Sequence, residues 1–280
     1  PETGRYTVAT TAVLSALVSV TVLLSITGNI FICVAVTSER KLRSVHNWYL
    51  VSLAVSDLLV GLLIMPPALV TELLGYWFFG EGLCAVFLAV DIFACTASIN
   101  NLCAISLDRY WSVAHPADCR RQGLSRKRVK LAIVAVWVIS AAICIPSLVG
   151  WTNDINIYDC YLTDDQQLPQ CEYTNNIGYV VFSTVGSFYL PLVIMTVAYV
   201  RVDRRLIVVV GIIMSVFVLC WLPFFLTYVV QTACSSCYVP ETLFTFFVWL
   251  GYCNSSLNPI LYTVFNRDFR KVFYQKILRR

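Results

Sequence analysis

One stretch decides the fold of this 280-residue chain: Asp91-Ile92-Phe93-Ala94-Cys95-Thr96-Ala97-Ser98-Ile99-Asn100-Asn101-Leu102-Cys103-Ala104-Ile105-Ser106-Leu107-Asp108-Arg109-Tyr110. A helix rises about 1.5 Å per residue, so Asp91 and Arg109 would lie roughly 27 Å apart on one face, close to the roughly 30 Å of a bilayer's hydrocarbon core. No charged side chain lies between Asp91 and Asp108, and an acid within an apolar span is by default a functional residue. The stretch predicts a membrane-spanning helix with a cation site near one surface and an output at the other. That geometry suits a receptor better than an enzyme.

The composition also places the chain in a bilayer. It is 59% hydrophobic and 13% charged, against roughly 45–50% and about 25% in soluble proteins. No apolar run resembles a signal peptide, so the first run is a true span. The chain is predicted to be one all-α, seven-transmembrane receptor domain over residues 1–280, because seven runs exceed the roughly 20 residues of a span: about 8–36, 46–71, 82–107, 129–150, 177–200, 206–232 and 241–264.

Basic residues predict how these spans are oriented. Of the 20 Lys and Arg residues, all except Arg5 fall on one side of the predicted bundle. Because Lys and Arg in short loops stay cytoplasmic, we expect a multi-pass plasma-membrane protein with an extracellular amino terminus. The basic face matches anionic inner-leaflet lipid and an acidic protein partner, and nucleic acid need not be invoked.

Five of the 12 cysteines fall on the predicted outer side, where they can oxidise. Cys234 and Cys237 could close a small ring. Cys84 could pair with either Cys160 or Cys171, and spacing alone does not choose between them.

Short motifs occur in a fixed order along the spans. They are Gly28-Asn29, Leu53-Ala54-Val55-Ser56-Asp57, Asp108-Arg109-Tyr110, Trp137, Pro191, Cys220-Trp221-Leu222-Pro223 and Asn258-Pro259-Ile260-Leu261-Tyr262. In this order they resemble the rhodopsin-like (class A) G-protein-coupled receptors of the aminergic branch. The runs 252–256 and 186–189 are most similar to alpha-adrenergic, octopamine and inhibitory dopamine receptors. The resemblance implies a receptor for a catecholamine, octopamine or similar arylethylamine that activates an inhibitory G protein, with serotonin and tyramine as alternatives.

The resemblance also implies a ligand site. Asp91 stands where aminergic receptors place the carboxylate that pairs with the ligand ammonium, an interaction that strengthens as water is excluded. Ser183 and Ser187 share a helix face with Thr184 beside them, and their hydroxyls would bind ring hydroxyls of the ligand, unless they bond back to their own helix. The remaining expected ligand residues are mostly aromatic: Ile92, Cys95, Trp221, Phe224, Phe225, Tyr228, Trp249 and Tyr252. Aromatic residues at helical spacing are, however, often plain packing residues.

A second buried acid, Asp57, is expected to hold an allosteric sodium ion, since relatives bind sodium there and oxygen ligands suit a hard cation. Its partners would be Ser98, Asn254 and Ser255, with Asn29 and Asn258 nearby. A hydrated polar cluster is the alternative. No other cofactor is expected.

The family pattern further implies a conformational switch. Asp108 would hold Arg109 in the inactive state, and Arg109 would meet the G protein once freed. Arrestin and a receptor kinase are further expected partners. The switch residues are expected to be Asp108, Arg109, Tyr110, Tyr199, Asp203, Phe217, Asn258, Pro259 and Tyr262.

The resemblance pairs Cys84 with Cys171 and places Glu172 and Tyr173 near the site's mouth. The chain departs from the family at 202–203, where the long third inner loop that aminergic relatives often carry is absent or has been removed. Residues 266–278 form an amphipathic stretch that should lie on the inner leaflet.

Three other classes fit poorly. A transporter often shows internal repeats, and none is evident. A retinal photoreceptor needs a lysine in the seventh span, and all five lysines are cytoplasmic by this reading. An enzyme is unsupported, because no span carries a paired nucleophile and base.

Overall fold

A computed structural model describes residues 7–115, 122–148, 169–201, 204–234 and 236–274. Its described residues form helices and contain no strand. Residues 202–203, where the third inner loop was predicted to be missing, and 275–278 of the predicted amphipathic stretch lie outside the described residues. We number the helices α1 Val8–Ser38, α2 Val45–Leu74, α3 Glu81–Ala114, α4 Gln122–Leu148, α5 Ile177–Val200, α6 Arg204–Ala233, α7 Glu241–Phe265 and α8 Arg267–Phe273.

Helix α3 lies at the centre of the bundle, packed against α2, α4 and α5, while α7 packs between α1 and α6. The outward faces are apolar: Leu131 on α4 is 71% exposed and Leu219 on α6 is 68% exposed. Such a surface suits lipid, not water. Six of the seven long helices are apolar enough along their length to cross a membrane, and the prediction of an all-α seven-helix bundle is confirmed.

Helix α7 has the right length, 25 residues, but a lower hydropathy than its neighbours. The cause is a run of polar residues in its middle, all of them buried: Asn254, Ser255, Ser256 and Asn258. These side chains face the interior of the bundle, where Ser255 and Asn258 donate to Asp57 of α2.

Two helices contain a π turn that the sequence did not predict. In α2 it spans Val60–Ile64, shortly before Pro66 and Pro67, and in α5 it spans Val185–Tyr189, shortly before Pro191. A proline ring clashes with the carbonyl four residues earlier and leaves it without a donor, and a widened turn accommodates both effects. Pro223 and Pro259 instead lie inside α6 and α7, as expected.

The Gly28-Asn29 motif of α1 fits against the proline of α7. A Cβ on Gly28 would lie 2.8 Å from Cβ of Pro259. The neighbouring Asn29 donates through Nδ2 to the carbonyl of Ser255, at 3.0 Å. That carbonyl lies four residues before Pro259, so Asn29 supplies the hydrogen bond that the proline removes.

The short α8 follows α7 directly. The side chain of Asn266 caps its first turn by accepting from the backbone N–H groups of Asp268 and Phe269. Phe269 is fully buried, and Phe273 packs edge-on against Phe31 of α1 with ring centroids 5.5 Å apart. The apolar face of α8 therefore attaches it to the bundle.

Candidate functional site

A small cavity lies beside Asp91 between α3, α5, α6 and α7, and we call it the Asp91 cavity. Its volume is about 60 Å³. Every predicted ligand residue except Trp249 lines it: Asp91, Ile92, Cys95, Ser183, Thr184, Ser187, Trp221, Phe224, Phe225, Tyr228 and Tyr252. Four residues that were not predicted to bind the ligand also line it: Thr96, Tyr173, Tyr179 and Val248.

Asp91 is 2% exposed and is surrounded by neutral donors. The Tyr252 hydroxyl donates to its Oδ2 at 2.7 Å, the Cys95 thiol donates to its Oδ1 at 3.2 Å, and the Tyr173 hydroxyl donates to Oδ2 as well. Among the described residues no basic side chain forms an ion pair with Asp91. A buried carboxylate held only by neutral groups can still gain from an incoming cation.

Tyr173 lies deeper than the sequence suggested, in contact with Asp91 and not only near the mouth of the site. The disulfide between Cys84 and Cys171 fixes the loop two residues away, with Cα atoms 5.7 Å apart. On the other side the Tyr228 hydroxyl donates to the carbonyl of Thr174 at 2.8 Å. The loop path depends on these long-range contacts, so local sequence carries no signal for it. Cys160, the alternative partner of Cys84, lies outside the described residues.

The hydroxyl groups of Ser183, Thr184 and Ser187 on α5 differ in their hydrogen bonds. Ser183 and Thr184 both donate back to the carbonyl of Val180, at 3.2 and 2.7 Å. Ser187 lies within the π turn, is 4% exposed, and makes no hydrogen bond among the described residues. Ser187 is thus the α5 hydroxyl best placed to bind a ligand.

Aromatic rings form the wall on the α6 side. Phe188 of α5 stacks on Phe225 with centroids 4.6 Å apart, and Phe224 stacks on Tyr228 at 5.7 Å. Trp221 fits because Gly251 faces it: a Cβ at that position would lie 2.8 Å from the indole. Such faces and edges suit an aromatic ligand and a cation.

Trp249, the remaining predicted ligand residue, does not line the Asp91 cavity. Trp249 packs edge-on against Tyr252, with centroids 5.6 Å apart, and lines a larger cavity of about 460 Å³, which we call the upper cavity. Trp249 precedes Tyr252 by three residues, nearly one helical turn, so it lies further toward the end of α7 where the chain enters. Glu172 and Glu241 also line the upper cavity. Burial and, secondarily, the Glu241 carboxylate raise the pKa of Glu172.

A polar cluster surrounds Asp57, which is fully buried. Ser98 and Ser255 donate to its Oδ1 at 2.7 and 2.9 Å, and Asn258 donates to its Oδ2 at 2.8 Å. Asn258, predicted as a switch residue, therefore contacts the acid directly. Asn254 is buried, and its Nδ2 has no hydrogen-bond partner among the residues that the structure describes. Carboxylate and hydroxyl oxygens within one cluster fit a hard monovalent cation.

Asp108, at the other end of α3, does not pair with Arg109 as predicted. Its Oδ2 lies 2.7 Å from Nδ1 of His46, and its Oδ1 accepts from Arg128 at 3.2 Å. Among the described residues no ion pair joins Asp108 to Arg109, so the predicted clasp is replaced by one that ties α3 to α2 and α4. The spacing of Asp108 and Arg109 carried no information about these distant partners.

The other predicted switch residues are dispersed at this end of the bundle. Phe217 is fully buried against Phe188, and Tyr199 packs against Gly211 of α6. Tyr262 is buried, and its hydroxyl has no hydrogen-bond partner in the described part of the chain. Arg109 and Tyr110 are half-buried, and Asp203 lies outside the described residues. Pro259 contacts Gly28 as described above.

A family model described as "7 transmembrane receptor (rhodopsin family)" matches residues 28–262. The chain belongs to this family. It is thus a multi-pass membrane receptor and not an enzyme, as the sequence predicted. The match begins at Gly28 and ends at Tyr262, so it includes every motif described above.

Individual relatives of this rhodopsin-family receptor extend the similarity to nearly the whole chain. It is 34% identical to the probable G-protein coupled receptor No18 of Amphibalanus amphitrite, over 98% of this chain and 90% of that protein. It is 32% identical to the alpha-2A adrenergic receptor of Danio rerio, over 99% and 95%. It is also 31% identical to the alpha-2 adrenergic receptor of Labrus ossifagus, over 98% and 92%. The resemblance to aminergic receptors is confirmed.

Proposed function

We propose that this receptor lies in the plasma membrane with its amino terminus outside, binds a monoamine, and activates a heterotrimeric G protein of the inhibitory class. The ligand would be a catecholamine, octopamine or a similar arylethylamine. Arrestin and a receptor kinase would act on the same inner face as the G protein.

The observation that carries this proposal is the environment of Asp91. The carboxylate is almost completely buried, its hydrogen-bond partners among the described residues are neutral hydroxyl and thiol groups, and aromatic rings complete the cavity. A protonated amine would supply the missing positive charge while its ring packs against Phe224 and Phe225.

Two further observations support the ligand class. Ser187 offers an unused hydroxyl on the α5 side of the cavity, opposite Asp91 on α3. A hydroxyl group on the ligand ring would give Ser187 a partner, which favours hydroxylated arylethylamines over unsubstituted ones. The names of the relatives, adrenergic receptors among them, agree with this choice.

The polar cluster at Asp57 is proposed to bind sodium. Asp57, Ser98 and Ser255 would provide oxygen ligands, and Asn254 would need its amide oxygen turned toward the ion. When bound there, sodium would supply a positive charge that stabilises the ionised carboxylate in the interior.

The experiment that tests the proposed function compares amines on cells that express the receptor. Noradrenaline, dopamine, octopamine, tyramine, serotonin and phenethylamine are applied, and cyclic AMP and calcium are recorded together. We expect a fall in cyclic AMP with the ring-hydroxylated amines and a weaker response to phenethylamine. Asp91→Asn should abolish binding of each active amine, because a neutral amide cannot pair with the ammonium. Intact responses in this variant, at equal surface expression, would exclude Asp91 as the anchor.

A further inference from the structure

The Tyr173 side chain lies between the Asp91 cavity and the upper cavity. It lines both the Asp91 cavity and the upper cavity. The other residues that line both are Tyr228, Val248 and Tyr252, which belong to α6 and α7, whereas Tyr173 belongs to the loop before α5. Among these shared wall residues, Tyr173 is therefore the one that a loop contributes.

The Asp91 cavity is much smaller than the upper cavity. Its volume is about 60 Å³, against about 460 Å³. Tyr173 lies in the wall between the two, so its ring limits the space beside Asp91.

Tyr173 also forms a hydrogen bond with the carboxylate that the ligand ammonium would bind. Its hydroxyl donates to Oδ2 of Asp91, the oxygen that Tyr252 contacts as well. We propose that Tyr173 is an internal competitor of the ligand ammonium: every amine must break the Tyr173–Asp91 hydrogen bond and displace the phenol ring toward the upper cavity. This inference rests on the proposed function of Asp91.

The contacts around Tyr173 indicate that its side chain moves while its backbone stays. The disulfide at Cys171 and the hydrogen bond from Tyr228 to the Thr174 carbonyl hold the loop on both sides of it. The ring itself makes looser contacts, edge-on to Phe224 at 6.1 Å and tilted to Tyr228 at 5.9 Å. Tyr252, by contrast, is 3% exposed within α7. Rotation of Tyr173 would join the two cavities into one.

The direct test is Tyr173→Phe, which retains the ring and removes the hydroxyl. Tyr238→Phe makes the same chemical change in the upper cavity, at a residue that is 86% exposed and does not contact Asp91. Octopamine and noradrenaline serve as probes, and equilibrium affinity and association rate are measured. We expect affinity to rise about tenfold in Tyr173→Phe, mostly through faster association, since the lost bond is one to a charged group. Tyr238→Phe should match the unsubstituted receptor.

A second measurement does not depend on the ligand. Without amine, Tyr173→Phe should lower the thermal midpoint by about 2–5 °C through loss of a buried charged hydrogen bond, and Tyr238→Phe should not. Tyr173→Leu, read in the same two assays, replaces the Phe variant if that one fails to reach the cell surface.

The outcomes separate the two proposals. Unchanged or weaker amine binding in Tyr173→Phe, with binding lost in Asp91→Asn, overturns the competitor role and leaves the amine site in place. Amine binding that survives Asp91→Asn overturns the proposed function itself. An unchanged thermal midpoint in Tyr173→Phe shows that the hydrogen bond contributes nothing and overturns the competitor role by a route that needs no amine.

Discussion

Buried acids dominate this receptor at the scale of single residues. Asp57, Asp91 and Asp108 are each at most 5% exposed, and all three are on α2 or α3. Each has a different set of partners: hydroxyls and an amide at Asp57, phenols and a thiol at Asp91, and basic side chains at Asp108. Under the proposed function, Asp57 would bind a small inorganic cation and Asp91 an organic cation, while Asp108 attaches α3 to its neighbours.

Asp57 yields a prediction at this scale. Replacing sodium by N-methyl-D-glucamine at constant ionic strength should raise agonist affinity by roughly fivefold or more, since linked sites commonly couple by that factor. Asp57→Asn should abolish the difference, because the carboxylate supplies the charge that holds the ion. Affinity is measured by competition binding on membranes.

The matched control for this sodium measurement is Asp268→Asn on the surface of α8, which makes the same chemical change away from the cluster. It should keep the full sodium response. A sodium response that persists in Asp57→Asn would rule out the proposed ion site.

Single residues also show what sequence can and cannot predict. Asp91, Ser187 and the α6 aromatic residues were expected at the site from the family resemblance, and helical spacing agrees for the α5 hydroxyls because a regular helix fixes which side chains share a face. Tyr173 and the His46 partner of Asp108 could not, because their positions depend on a loop path and on packing between helices far apart in sequence. The place of Trp249 in the upper cavity could not be predicted either, because spacing gives the face of a helix but not which cavity lies beside it.

At the scale of helices, the hydrophobic effect does not bring membrane helices together, because lipid is as apolar as their side chains. Close packing of helix backbones at small residues stabilises the bundle instead. Gly28 shows this where α1 meets α7. Gly28→Ala should destabilise the receptor by about 1–3 kcal/mol, since the added Cβ would lie 2.8 Å from Pro259 and the proline ring cannot rotate away. The measurement is the thermal midpoint of the detergent-solubilised receptor.

Gly82→Ala is the matched control at the start of α3, where an added Cβ meets nothing within 4 Å. It should leave the midpoint unchanged or slightly raised, because alanine favours helix more than glycine does. Equal midpoints for the two variants would contradict the proposed fit between Gly28 and Pro259.

Helices could be predicted from apolar runs, but their irregular turns could not. The run containing Val185–Tyr189 has the composition of an ordinary span, and Pro191 alone gives no choice between a kink and a π turn. Pro223 and Pro259 are accommodated without a π turn. The difference arises from the neighbours of each helix: at Pro259, for example, Asn29 supplies the missing donor.

At the scale of the whole molecule, two disulfides differ greatly in what they constrain. Cys84 and Cys171 are 87 residues apart, whereas Cys234 and Cys237 are three apart. Chain-entropy estimates assign about 4–5 kcal/mol to a loop of the longer kind. The Cys84→Ser, Cys171→Ser double variant should therefore lose several degrees of thermal midpoint, because the loop that carries Tyr173 is no longer attached to α3.

The Cys234→Ser, Cys237→Ser double variant provides the comparison, since a loop of that length restricts the unfolded chain little. It should retain its midpoint to within a small shift. Peptide mapping without reduction identifies the bonded pairs in the unsubstituted receptor. Recovery of Cys84 joined to Cys160 would show that the long loop closes differently.

The π turn of α5 has a consequence for how this helix tolerates changes in length. Such a turn contains one residue more than an α-helical turn needs. Deleting one residue between 185 and 189 would convert it to ordinary α-helix and leave both halves of α5 in phase. The same deletion one turn earlier or later would rotate every side chain beyond it by roughly 100°. This segment is therefore where relatives could gain or lose a residue and still present the same face to the centre of the bundle.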